Sequence, residues 1–144
     1  LLILNCFLFV FLVILAYCLY SFLLYSLYGG GIVLTNEAEF VLLQLYRCYE
    51  DDIQDGKNKR EARYFEDEHS VRDNYFIGLD SEDFHLALTE LSSYGYLNTP
   101  KSTMDGYPEF ILEPSAIAEM QNRYTKNLNK VLKRINELKK LILF

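Results

Sequence analysis

"FHLALTELSSYGYLNT", residues 84–99, followed after a short gap by "YPEFILE", residues 107–113, decides how this chain is read. Phe84, Ala87, Leu88, Leu91 and Tyr94 recur at helical spacing. Asp80 or Ser81 stands where a cap belongs, and Glu82 and Asp83 fill the first turn, where the helix dipole favours acids. Gly95 ends the helix, as glycine does when the chain must turn left-handed. Tyr96–Thr99 and Glu109–Glu113 then read as two strands, joined by a loop containing Asp105-Gly106, a strong hairpin signal.

Upstream, Thr35 or Asn36 caps a helix over about 36–54, with Phe40, Val41, Leu43, Leu45, Tyr46, Tyr49 and Ile53 as its apolar set. Asp55-Gly56 closes it. "KNKREARYF" (57–65) is expected to make one or two helical turns. "EDEHSVRDNYFIG" (66–78) is expected to be irregular, with Val71, Tyr75, Phe76 and Ile77 plugging into the core. Downstream, Pro114 opens one long helix, since proline suits the first helical position. Leu128, Val131, Ile135, Leu138 and Ile142 follow at steps of 3, 4, 3 and 4, a coiled-coil repeat over two heptads. A dimer seam and docking onto the chain's own core produce the same stripe.

Helix, short helix, helix, hairpin, long helix is an order that resembles a winged helix-turn-helix domain. The residues carrying the likeness are Leu88, Leu91, Gly95, Tyr96 and Leu97, which match a third helix running directly into the first wing strand. The likeness covers Thr35 to about Glu113, and the segment resembles small uncharacterised bacterial and phage winged-helix proteins with a C-terminal helix. It implies an α+β, mostly α fold, with a winged-helix domain over 35–113 and an amphipathic helix over 114–144. In that family the third helix enters the DNA major groove, and the trailing helix resembles one by which many such regulators dimerise. Here the expected outward positions are Glu82, Asp83, His85, Leu86, Thr89, Glu90, Ser92 and Ser93, without a Lys or Arg. The wing offers Lys101 against Asp105 and Glu109. Carboxylates facing phosphates repel, and DNA affinity rests largely on cations.

Charge is divided along the chain. Residues 34–113 carry 18 acidic and 7 basic side chains, net −11; residues 114–144 carry 2 acidic and 7 basic, net +5. The favoured reading is therefore a non-enzymatic regulatory or adaptor module that binds protein, homodimeric through Leu128, Val131, Ile135, Leu138 and Ile142. The alternative is a DNA-binding regulator using Lys57, Lys59, Arg60 and Arg63 with Lys130, Lys133 and Arg134 of the last helix.

Little in the chain points to catalysis. "FEDEH" (65–69) sets three carboxylates beside a histidine, but consecutive residues do not converge on a metal, and a solvated acidic loop is expected. Neither His69 nor His85 lies near a Ser or Cys motif suited to nucleophilic chemistry. Cys6, Cys18 and Cys48 have no metal-ligand spacing, and Cys48 reads as a reduced, packed thiol with acidic neighbours. No catalytic residue, metal ligand or cofactor is assigned. Tyr107, near the hairpin tip, is expected to be exposed.

Residues 1–28 are a different text. They hold ten Leu, four Phe, four Tyr, two Ile and two Val, and no charge. This is long enough for a transmembrane helix, which needs ~20 apolar residues. A second reading is preferred. These residue types have T-rich codons, the Gly-rich junction 29–34 can encode a purine-rich ribosome-binding sequence, and Val33 or Leu34 can be alternative start codons. Residues 1–33 are then a mistranslated leader, and the product is cytoplasmic; otherwise it is a single-pass membrane protein. N-terminal peptide mapping by mass spectrometry on separated soluble and membrane fractions tells the two apart. The leader reading expects a soluble product beginning with Met followed by Thr35, and a membrane-bound product with peptides from before Gly29 overturns it.

Overall fold

The computed structural model describes residues 1–27 and 32–143, with the side chains of residues 2–9, 22 and 24–27 left aside. Half of the junction singled out above, Gly29 to Gly31, lies outside the described residues. The chain divides into two compact units, Leu1–Val33 and Leu34–Phe144.

In the first unit, α1 spans Leu2–Leu27. Its described side chains, over 10–21 and at Leu23, are exposed and carry no charge. Among the described residues, no helix is long and apolar enough to cross a membrane.

The second unit is built around α2 (Asn36–Gln54). Thr35 caps it by accepting from the Ala38 N–H, and Glu37 and Glu39 occupy its first turn. Ala38, Phe40, Val41, Leu42, Leu43, Leu45, Tyr46 and Tyr49 are all buried. Buried residues at consecutive positions cannot share one helix face, so α2 needs neighbours on several sides. They are α3 (Lys59–Ala62), α5 (Ser81–Ser93), α6 (Pro114–Tyr124) and α7 (Leu128–Ile142), all of which pack against it.

A three-stranded antiparallel sheet packs against α5 through β2. Its order is β1-β3-β2, from β1 (Tyr64–Phe65), β2 (Leu97–Asn98) and β3 (Phe110–Leu112). Tyr64 pairs with Ile111 and Phe65 with Phe110, while Leu97 pairs with Leu112 and Asn98 with Ile111. With seven helices against these three short strands, the described chain is mostly α with a small β component.

The expected caps are in place. Asp80 caps α5 by accepting from the Glu82 N–H. Gly95, at φ +74°, reverses the chain after α5, and the Tyr96 N–H returns to the Leu91 carbonyl. Pro114 stands at the start of α6.

"KNKREARYF" makes one helical turn, as expected: α3 stops at Ala62, and Tyr64 and Phe65 then pair with β3, where Phe65 stacks on Phe110 at 5.4 Å. Three expectations are corrected. Of the four residues expected to plug into the core after it, Val71 and Phe76 are buried but Tyr75 and Ile77 are exposed. The "irregular" segment contains α4 (Glu68–Tyr75), capped by Asp67, which accepts from the Ser70 N–H at 3.0 Å. The helix expected over 114–144 is two helices. Thr125 (φ +51°) and Lys126 (φ +56°) are both left-handed, and Asn127 caps a fresh start. A β-branched residue there stores strain of about 1–3 kcal/mol, which the surrounding packing must hold.

The break lets α7 bury Val131, Ile135 and Leu138 within its own unit. If this stripe belongs to the monomer's core, Ile135→Ala lowers the unfolding free energy by about 2–5 kcal/mol. Chemical denaturation checks this, and the loss is the same at every protein concentration. A loss that disappears on dilution would instead place Ile135 in a dimer seam.

Candidate interaction site

The outer face of α5 and the hairpin loop 99–109 meet around one buried carboxylate. Glu68, in the first turn of α4, is only 4 % exposed. Its backbone N–H donates to the Tyr107 carbonyl at 3.0 Å, and its Oε2 accepts from the Tyr107 N–H at 2.9 Å. His85 Nδ1 lies 2.9 Å from Oε2 and 3.1 Å from Oε1; a proton on Nδ1 serves both oxygens. The His85 ring stacks on Tyr107 at 5.1 Å, and the Tyr107 hydroxyl pairs with Thr89 Oγ1 at 2.9 Å. A buried carboxylate is costly unless donors replace its water, and here a backbone amide and an imidazole do so. The result fastens the hairpin to both α4 and α5.

Two expectations fall here. "FEDEH" is not wholly a solvated loop, because Glu68 is buried; Tyr107 is buried rather than exposed at the hairpin tip. No local pattern reports either, since both depend on His85 and the hairpin folding onto the start of α4.

Outside this latch the surface is acidic with apolar points. A dent of about 280 Å³ separates the start of α5 from the hairpin tip, with Glu82 and His85 on one wall and Met104 and Asp105 on the other. Leu86 lies one turn beyond Glu82 and is 56 % exposed; Met104 is fully exposed. Among the described residues, Glu82, Asp83 and Asp105 form no ion pair.

The basic residues proposed for DNA do not form one surface. Lys57 is paired with Asp52 at 2.9 Å. Arg63 donates from Nε to the Leu112 carbonyl at 2.8 Å, bracing β3. Arg134 grips Glu39 with Nε at 3.1 Å and Nη2 at 2.8 Å. Of that set, Lys59, Arg60, Lys130 and Lys133 are exposed and outside any ion pair among the described residues. Arg134 anchors α7 at the first turn of α2, whereas α3 follows the far end of α2, roughly 24 Å away at 1.5 Å per residue.

The proposed dimer residues are also engaged. Val131, Ile135 and Leu138 are buried within the chain's own unit, and Leu128 and Ile142 are half-buried. Three of the five stripe residues thus pack inside the unit, and Leu128 and Ile142 keep part of their surface free.

Cys48 is half-buried, and burial, followed by the Asp51 charge, pushes its thiol up to about 11, away from reactivity. Among the described residues, no three His, Cys, Asp or Glu side chains converge as a metal site would require.

The latch can be tested at Gly106, whose φ is +89° and whose added Cβ would strike Glu68 Oε2. Gly106→Ala is expected to cost about 1–3 kcal/mol in denaturation. It should also speed amide exchange at Tyr107 more than at buried α2 residues. Unchanged protection at Tyr107 would mean that Glu68 does not hold the hairpin.

Comparison with protein-family models, curated proteins and solved structures gives no match for this chain.

Proposed function

We propose that residues 35–113 form a winged-helix domain that works as a non-enzymatic regulatory or adaptor module, binding protein through the outer face of α5 and its wing. The fold part of this reading is supported by the run α2, α3, α5, β2, β3, in which α5 leads directly into the hairpin as the resemblance implies. The strand β1, paired on the outer side of β3, and the helix α4 are additions to that order.

The observation that carries the binding part is the charge of that face. It presents Asp80, Glu82, Asp83 and Asp105, with Lys101 as its one nearby cation in the sequence, and it exposes Leu86 and Met104. Phosphate neutralisation is the main source of DNA affinity, and this surface would oppose it. Apolar points ringed by one sign of charge suit a protein partner, where the apolar contact gives affinity and the charges give orientation.

A second reading keeps DNA as the ligand and uses the basic helices. It is favoured by Lys59, Arg60, Lys130 and Lys133, which remain exposed and outside ion pairs among the described residues. Against it stand the structural work done by Arg63 and Arg134 and the separation of the two clusters along α2.

Fluorescence anisotropy with a mixed-sequence DNA duplex at low salt distinguishes the two. The protein-binding reading expects no measurable binding, and no change in Lys130→Glu/Lys133→Glu. Binding that weakens with added salt and is lost in that variant would establish the DNA reading instead.

A further inference from the structure

We infer that the outward basic face of α7 docks on the acidic α5–hairpin face of a second copy of this chain, forming a symmetric, salt-dependent dimer. This rests on the protein-binding reading of the α5 face and names its partner.

The starting point is α7, whose two sides do different work. Inward, Val131, Ile135 and Leu138 are buried. Outward, Lys130, Lys133, Lys139 and Lys140 are exposed, and none forms an ion pair among the described residues. Lys130 and Lys133 are three residues apart and Lys133 and Lys140 seven, so they line one side of the helix. Leu141 stands among them, 63 % exposed. Glu137, one turn before Leu141, lies on the same side and pairs with Arg134, so the surface is an apolar point with an excess of cations around it.

The α5–hairpin face is its complement in sign and in kind. Leu86 is the apolar point, and Glu82, Asp83 and Asp105 are the charges left uncompensated. The two faces do not neutralise each other within one chain. Arg123 and Arg134, the cations of this region that do find acids, take Glu39, Glu119 and Glu137 instead.

Each chain therefore carries one half of a contact at α5 and the other half at α7. A two-fold pair satisfies both at once, because the first copy's α7 meets the second's α5 face and the reverse. Single exposed ion pairs are weak, so the contact depends on several acting together twice over and on the leucines between them. The same arrangement answers the division of charge along the sequence, net −11 over 34–113 and +5 over 114–144.

The test uses the full chain in a non-ionic detergent, with two populations carrying donor and acceptor fluorophores at the amino terminus. Energy transfer is read as the populations are mixed at about 10 mM and about 500 mM salt, conditions that change the screening length severalfold. Wild type is expected to associate at low salt and to weaken at least about tenfold at high salt. Glu82→Lys/Asp105→Lys and Lys133→Glu/Lys140→Glu should each weaken it about tenfold at low salt. All four positions are exposed, and circular dichroism verifies that both variants are folded. Mixing the two reversed variants should restore wild-type association, because both contacts of the mixed dimer are then oppositely charged.

Restoration on mixing establishes the proposal. Absence of low-salt association, association indifferent to both variants, or failure of the mixture to recover overturns it. If wild type stays monomeric and binds no DNA, only the identity of the partner fails. Salt-dependent DNA binding removes the reading beneath it.

Discussion

The burial of α2 is the constraint from which the rest of the second unit follows. Phe40 through Leu43, then Leu45 and Tyr46, are all buried, so no single layer of protein can cover the helix. Helices α5 and α7 supply most of the cover, with α3 and α6 at its edges. Packing of this kind has a cost. Among the described residues, the Tyr46 hydroxyl and Gln44 Oε1 are buried without a hydrogen-bond partner, and burial, followed by nearby Glu50, pushes the Tyr46 pKa up. The helix tolerates this because its apolar area gives more than two orphaned oxygens remove.

A helix covered in this way also fixes what its neighbours can do. Helix α7 spends Val131, Ile135 and Leu138 on the core of its own unit. Helix α5 spends Phe84, Ala87, Leu88 and Leu91 and keeps free a polar side that Leu86 interrupts. Glu90 on that side reaches back to cap α2, accepting from the Thr35 N–H at 2.9 Å and its hydroxyl at 2.7 Å. The start of α2 and the middle of α5 are thereby tied by charge-assisted hydrogen bonds as well as by packing. The Glu68 latch does the same for the hairpin, so that Met104 and Asp105 are held opposite Glu82 by contacts behind the surface they share.

What the sequence made legible was local. Thr35, Asp80, Gly95 and Pro114 announced helix ends through side-chain chemistry or backbone restriction, and all four stand at those ends. What it concealed was non-local. Tyr64 and Phe65 are a strand only because β3 lies beside them, and nothing in "KNKREARYF" distinguishes that from another helical turn. Asp67 with Ser70 three residues on was a readable cap for α4, hidden by the crowd of acids around it. Glu68 gave no sign of burial, because acidic runs are normally solvated and its donors come from 17 and 39 residues away. Arg63 and Arg134 looked like free cations because the groups that occupy them, the Leu112 carbonyl and the Glu39 carboxylate, lie 49 and 95 residues distant.

The last helix shows why period alone could not settle its role. Steps of three and four serve a partner helix and the chain's own core equally, since both ask for a stripe on one face. The deciding feature is the pair Thr125-Lys126, left-handed with no glycine or proline to advertise the turn. Without that break, 114–144 would run on as one rod, with its apolar stripe continuing past the body it had just covered. With it, α7 restarts from Asn127, folds back on α2, and turns Lys130, Lys133 and Lys140 outward. Two strained residues thus convert a sequence that reads as a coiled coil into a domain whose free surface is electrostatic. Recognition on such a surface must be set by the arrangement of charges around a few apolar points.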